Sequence, residues 1–107
     1  MTASSTAFYP NKAVGVYAMG KAAIVNMVQW LAHELMEDNI RVNAIAPSFT
    51  RTNMVKKEIE MGIDKVFPKK SMADPHQVAA VAAMICSNDG SFVNGETFIM
   101  TGGYPSL

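Results

Sequence analysis

A doubly wound α/β fold, with parallel strands covered by helices on both faces, is what this sequence predicts, on three observations. An amphipathic helical run from Val16 to about Glu37 leads into an apolar strand from Ile40 to Ala46. After an irregular stretch the order recurs, with a helix opened by Asp74-Pro75-His76-Gln77 and a strand from Thr97 to Met100. The first of these strands is apolar at successive positions, as expected for a sheet covered on each side. Helix, strand, irregular cap, helix, strand is an order that right-handed crossovers satisfy.

Each element has its own signals. In the first helix Ile24, Met27, Val28, Leu31 and Leu35 recur at i, i+3, i+4, i+7 and i+11, one helical stripe, and Ala22, Ala23 and Ala32 widen it. Asp38-Asn39 ends that helix, and Pro47 is expected to stop the strand that follows. Ser48 to Pro68 mixes charges with isolated hydrophobics such as Met54, Val55, Ile59 and Met61, and reads as a loop with one or two short helices. The second helix starts with an acid at the N-cap, proline at the first helical position and glutamine placed for a capping box. Its buried stripe is Val78, Val81, Ala82 and Ile85, and Asn88-Asp89-Gly90 terminates it. Val93-Asn94-Gly95-Glu96 makes the turn into the last strand. No internal repeat, linker or low-complexity tract breaks the chain.

Composition narrows the function. Of 107 residues 50% are apolar, enough for one small domain to bury a core. Nine basic and nine acidic side chains cancel, which argues against nucleic acid or an anionic membrane surface as partner and favours a small neutral molecule. No segment has the roughly 18 consecutive apolar residues of a membrane span. The single cysteine, Cys86, cannot form an internal disulfide, so a reducing compartment is expected, with Cys86 itself buried and inert. Met19, Met27, Met36 and Met84 read as core or interface filler. His33 and His76 fall on helix surfaces without a second ligand at metal spacing, so no metal site is expected. Asn43, polar within an apolar strand, is expected to hydrogen-bond backbone.

The chemistry-bearing pattern is Tyr17 with Lys21, one turn apart on a single helix face and shortly after Ser4-Ser5. A free phenol, with pKa about 10, exchanges protons poorly near neutrality, and an adjacent fixed cation favours its ionised form. That pairing suits carbonyl–alcohol redox chemistry. Downstream stand Asn39-Ile40-Arg41-Val42-Asn43-Ala44-Ile45-Ala46-Pro47, Thr52, Gly95-Glu96-Thr97 and Gly102-Gly103. In this order and at these intervals the chain resembles the C-terminal half of the short-chain dehydrogenase/reductase family, over nearly its whole length.

The resemblance implies the C-terminal part of a Rossmann-type parallel sheet, a single partial domain over 1–107 with the N-terminal strands missing. The family's glycine-rich phosphate loop has no counterpart here, and only Met1-Thr2-Ala3 precedes the serines where the family has a full strand. Tyr17 would be the general acid/base and Lys21 would hold the nicotinamide ribose and tune the phenol. Ser5, second in the serine pair, would orient the substrate carbonyl; Ser4, thirteen residues before Tyr17, is the alternative. Pro47, Ser48, Thr50 and Thr52 fall in the family's P-G-x-x-x-T cofactor stretch, with Ser48 where glycine is usual, and either threonine could instead be a plain N-cap. Gly95 to Gly103 resembles the structural G-x-x-x-x-x-D-G-G terminus, with Thr101 in place of aspartate.

Within the family, the segments around Phe8-Tyr9-Pro10 and Cys86-Ser87-Asn88-Asp89 look most like the carbonyl and retinal reductase subgroup, and next like the 3-oxoacyl-carrier-protein reductases. That implies NADP(H) rather than NAD(H), a small carbonyl or alcohol substrate, and a homodimeric or homotetrameric parent. Pro105-Ser106-Leu107 lacks the basic middle residue of a peroxisomal ending, so a cytoplasmic location is expected. The rival reading is a non-catalytic remnant that keeps only an assembly surface around Met27, Trp30, Leu31 and Met36.

Overall fold

A computed structural model describes residues 1–62, 65 and 71–104. The Pro68 end of the predicted loop and the Pro105-Ser106-Leu107 terminus lie outside these residues. In chain order the elements are helix α1 (Gly15–Glu34), strand β1 (Ala44–Pro47), helix α2 (Lys56–Glu60), helix α3 (Pro75–Cys86) and strand β2 (Thr97–Met100), joined by short 3-10 turns. The strands pair in parallel with Ala44 opposite Thr97 and Pro47 opposite Met100. The fold is therefore the α/β type that the alternation of periodicities predicts, with a crossover through α3.

Small residues set how α1 meets the sheet. The core cluster is Ala3, Val28, Ala44 and Ala46, with Ile24, Val25 and Val42 against it. Val28 is fully buried, and Ala18 and Ala32 extend the same line along α1. Alanine at these positions leaves Val28 as the one bulky side chain of the buried cluster. This is why the predicted stripe is only partly right: Ile24, Val28, Leu31 and Leu35 face inward, whereas Met27, Ala22 and Ala23 are exposed. Met19, Met36 and Met84 are exposed as well and fill no core.

The helix ends at Glu34, earlier than the periodicity suggests, because a 3-10 turn over Met36–Asp38 follows and Asn39 adopts a left-handed conformation at φ 58°. Asparagine tolerates that region better than most residues. The first strand is also shorter than the predicted span from Ile40 to Ala46. Its opening residues bond to side chains instead of a neighbouring strand: the Val42 amide donates to Asn94 Oδ1 at 2.8 Å. Asn43 donates from Nδ2 to the Val93 carbonyl at 2.8 Å and accepts from the Glu96 amide at 3.0 Å.

Pro47 does not stop the strand but completes it. Ala44 and Ser48 donate to Glu96 and Met100 on the β2 side, while Ile45 bonds Met1 and Ala3 on the other. By the same alternation the nitrogen of Pro47 faces away from β2, so its missing hydrogen leaves the β1–β2 ladder intact. The expected strand before the serines is reduced to one bridge, Thr2 to Ile45, also parallel.

Helix α3 follows its prediction closely. Gln77 Oε1 accepts from the Asp74 amide at 2.8 Å, the returning half of a capping box, and Pro75 sits at the first helical position. Val78, Val81, Ala82 and Ile85 face inward. Cys86 is exposed, contrary to expectation, because it is the residue after the last inward position and falls off that face. Ser87 ends the helix, donating to the Met84 carbonyl at 2.8 Å and accepting from the Asp89 amide at 3.2 Å. Among the described residues no helix is long and apolar enough to cross a membrane.

Gly90 packs directly on the end of α3. A Cβ there would stand 2.6 Å from the Ile85 carbonyl oxygen and 2.8 Å from that of Met84. Both obstacles are backbone, so the turn must move. Gly90→Ala is expected to lower stability by about 2 kcal/mol, read as a reduced midpoint in urea unfolding followed by circular dichroism.

Candidate functional site

The end of β1 opens into a cleft of about 470 Å³, bounded by the serine turn, the first turns of α1, the 47–55 loop and the start of α3. Every site residue singled out in the sequence lines it: Ser4, Ser5, Tyr17, Lys21, Pro47, Ser48, Thr50 and Thr52. This is the usual place for a ligand in an open α/β sheet, beyond the carboxyl ends of the strands.

The serines reach the cleft because the bridge at Thr2 runs into a 3-10 turn over Ser5–Ala7. Ser4 is the N-cap of that turn, and its Oγ accepts from the Thr6 amide at 3.3 Å and the Thr6 hydroxyl at 2.9 Å. With both acceptor positions occupied, its own proton is left to donate. Ser5 is 2% exposed, and among the described residues its hydroxyl has no partner; its carbonyl accepts from Phe8 and Tyr9 at 3.0 Å each. Thr6 is the residue that sequence reasoning missed. The signal available was its place two residues after an N-cap serine, where a hydroxyl can bond back.

Tyr17 and Lys21 share one face of α1, as their spacing requires. Lys21 Nζ stands 5.6 Å from the centre of the Tyr17 ring, within cation–π range. The ammonium also donates to the Thr2 carbonyl at 2.9 Å. Tyr17 is 51% exposed and opens on the cleft.

The cofactor-like loop is ordered by backbone bonds. Ser48 donates its amide to the Met100 carbonyl at 2.9 Å, and Thr50 Oγ1 donates to the Ser48 carbonyl at 3.2 Å. Among the described residues Asn39 is the one non-glycine with positive φ, so Ser48 takes a conformation open to any residue and needs no glycine. Thr52 stands at the N-cap position of the Asn53–Val55 turn but makes no capping bond, which leaves its hydroxyl available to a ligand. Such a lining of hydroxyls and one ammonium fits the ribose and amide groups of a dinucleotide. Val14, Phe49, Met54, Val55 and Val78 supply an apolar wall, of which Val14, Phe49 and Val78 carried no functional signal in the sequence. Among the described residues no cluster of His, Cys, Asp and Glu could hold a metal ion, and His33 and His76 are exposed.

Known proteins resemble this chain over nearly its whole length. Residues 1–105 match the profile of a family described as enoyl-(acyl carrier protein) reductase. The rabbit (Oryctolagus cuniculus) protein "Dehydrogenase/reductase SDR family member 4" is 35% identical over 99% of this chain and 43% of its own length. The "A-factor type gamma-butyrolactone 1'-reductase (1S-forming)" of Streptomyces virginiae is 32% identical over 99% of this chain and 44% of its own. Among solved structures, a 3-oxoacyl-[acyl-carrier protein] reductase of Brucella melitensis with bound NAD superposes with TM-score 0.79 at 35% identity, covering 95% of this chain and 38% of that one. The chain thus spans about two fifths of the length of the relatives it matches.

Residues 49–51 and 73–74 are tied by backbone rather than charge. Arg51 donates its amide to Ala73 and Ala73 donates to Phe49, each at 2.9 Å, whereas the Arg51–Asp74 ion pair is half-exposed at 3.7 Å. Water screens such a pair. Arg51→Ala is expected to change unfolding stability by less than about 0.5 kcal/mol, and a double-mutant cycle with Asp74→Ala checks it.

Proposed function

The chain belongs to the short-chain dehydrogenase/reductase family, and we propose that it carries the proton-handling and carbonyl-orienting groups of a nicotinamide-dependent oxidoreduction of a ketone, aldehyde or secondary alcohol. The observation that supports this most is the convergence of the serine pair, Tyr17, Lys21 and the Pro47–Thr52 loop on one cleft. Three separate stretches of sequence, with the start of α3 as a fourth wall, meet there only because the sheet brings them together.

A nicotinamide held in the cleft would supply the hydride that reduces the carbonyl carbon. Tyr17 gives its phenolic proton to the carbonyl oxygen, so that the C=O π bond is replaced by a C–H and an O–H bond and the C–O single bond remains. The positive charge of Lys21 stabilises the phenolate left behind until solvent returns the proton. Ser5, whose hydroxyl has no other partner, donates to the oxygen as negative charge builds on it; one such donor is typically worth about 3 kcal/mol. Ser4 stays the alternative donor, since Thr6 occupies its acceptor positions. Lys21 and the hydroxyls of Thr50 and Thr52 would hold the cofactor, with Pro47 and Ser48 shaping the wall beside it.

Resemblance to the carbonyl reductase subgroup favours NADP(H) over NAD(H), although the Brucella neighbour holds NAD. A 3-oxoacyl thioester is the second substrate class, suggested by that neighbour's own activity. The outer face of α1, with Val16 82%, Met19 66% and Trp30 60% exposed, is the surface through which a homodimer or homotetramer would assemble, and it is what a non-catalytic chain would retain.

Titrating the purified chain with NADPH and with NADH, read by Trp30 fluorescence and thermal shift, separates these readings. Saturable binding is expected, tighter for NADPH; no response to either leaves the assembly role. In a chimera that carries this chain in place of the matched region of the rabbit relative, Tyr17→Phe is expected to lower turnover on the order of 10²- to 10⁴-fold with cofactor affinity nearly unchanged. Lys21→Ala is expected to weaken both. Undiminished turnover in the tyrosine variant would refute the assignment.

A further inference from the structure

The pair Asn94-Gly95 joins a reactive dipeptide to a structural lock. Among the asparagines of the chain only Asn94 is followed by glycine, and glycine, lacking a Cβ, leaves its nitrogen least hindered as a nucleophile toward the preceding carboxamide. The turn into β2 commits the chain to that glycine: its φ is 79°, and a Cβ there would stand 3.3 Å from Ala32 Cβ. One residue grips both reacting groups. The Val42 amide donates to Asn94 Oδ1 at 2.8 Å, and the Val42 carbonyl accepts from the Gly95 amide at 2.9 Å. Asn94 Nδ2 in turn donates to the Ala32 carbonyl at 3.2 Å. While these bonds hold, the Gly95 nitrogen keeps its proton and the carboxamide is turned to other partners.

We propose that Asn94-Gly95 is a site of spontaneous deamidation gated by opening of this corner, and that conversion makes the opening permanent. The Gly95 nitrogen attacks Cγ of Asn94; an N–C bond forms, the Cγ–Nδ2 bond breaks, and Nδ2 leaves as ammonia with the proton from the Gly95 nitrogen. Water then opens the succinimide at either of its carbonyls, giving aspartate or isoaspartate. Nothing is oxidised or reduced, and water is the one co-reactant. An ionised carboxylate only accepts hydrogen bonds, so an oxygen then confronts the Ala32 carbonyl where an N–H stood, and the end of α1 loses its tie to the turn. Isoaspartate does more, since it adds the Cβ of residue 94 to the main chain just ahead of β2. Local opening is an equilibrium property of a folded chain. The fraction of time this corner spends open therefore sets how long a molecule lasts, and each conversion withdraws one from the native pool.

The test incubates the 107-residue chain in mildly alkaline buffer, with and without unfolding concentrations of urea, and needs neither cofactor nor substrate. Peptide mass spectrometry with fragmentation that separates aspartate from isoaspartate reads each site. Conversion at Asn94 is expected to be at least tenfold faster in urea than in native buffer, and in urea to outpace Asn53, which precedes methionine. Asn43→Ala removes the neighbouring bonds of the corner but leaves Val42, Asn94 and Gly95 in place, and is expected to speed native conversion at least threefold. Asn94→Asp, the product made directly, is expected to show a lower urea midpoint and at least tenfold faster amide exchange at Val42 and Gly95. Equal rates in native buffer and urea would overturn the gate, as would an unchanged rate in an Asn43→Ala chain that circular dichroism shows to be folded. Conversion in urea no faster than at Asn53 would overturn the site. Unaltered midpoint and exchange in Asn94→Asp would overturn the unlatching.

Discussion

Two asparagines hold the architecture in register. Asn43 spans from β1 to the turn before β2, bonding the Val93 carbonyl and the Glu96 amide, while Asn94 accepts from the Val42 amide and donates to the Ala32 carbonyl at the end of α1. Helix, strand and turn are therefore locked at one corner by side chains whose amide groups can donate and accept at once. All four bonds are at least partly buried, where leaving such a group unpaired would cost about 1–3 kcal/mol. From that corner β1 and β2 run in parallel, and at their far ends the cleft opens. The asparagine corner and the cleft occupy opposite ends of the same short strands.

The site follows from that geometry. Because β1 is only four residues long and its inward positions are alanine, α1 lies close enough to bring Tyr17 and Lys21 beside the serine turn. The 47–52 loop leaves the strand end directly, with Ser48 still bonded to β2. Little freedom remains in the backbone that carries the hydroxyls. Lys21 links the cleft to the Met1–Ala3 segment through the Thr2 carbonyl, so one cation ties the first helix to the strand end.

Much of this was legible in the sequence, for physical reasons that differ by element. Helix α3 was readable almost to the residue because proline, an acid and glutamine mark its start by local bonding. Strand β2 was bounded as cleanly by glycine turns. The i, i+4 spacing of Tyr17 and Lys21 guaranteed a shared face whatever the tertiary context. What failed depended on partners distant in the chain. On α1 bulk does not mean burial: the helix buries Val28 with the small Ala18 and Ala32 and leaves Met27 outside, a choice set by the sheet and not by the helix's own periodicity. The length of β1 is not legible locally, because the Val42 amide bonds the Asn94 side chain and the Asn43 side chain bonds the Val93 carbonyl, fifty or more positions away in sequence. Cys86 was misplaced by a single helical position. Thr6 could have been found from its local pattern, while Phe49 and Val14 become part of the cleft only through the fold.

The parallel bridge between Thr50 and Ala73 has a further consequence. It ties residues 50 and 73 together, so the chain between them leaves and rejoins the scaffold at adjacent points. Loop-closure entropy grows only logarithmically with length, roughly 0.6 kcal/mol for each doubling, so inserted or deleted residues there disturb the sheet little. Evolution can therefore exchange that segment as a cassette, while the serine turn, Tyr17 and Lys21 keep their places.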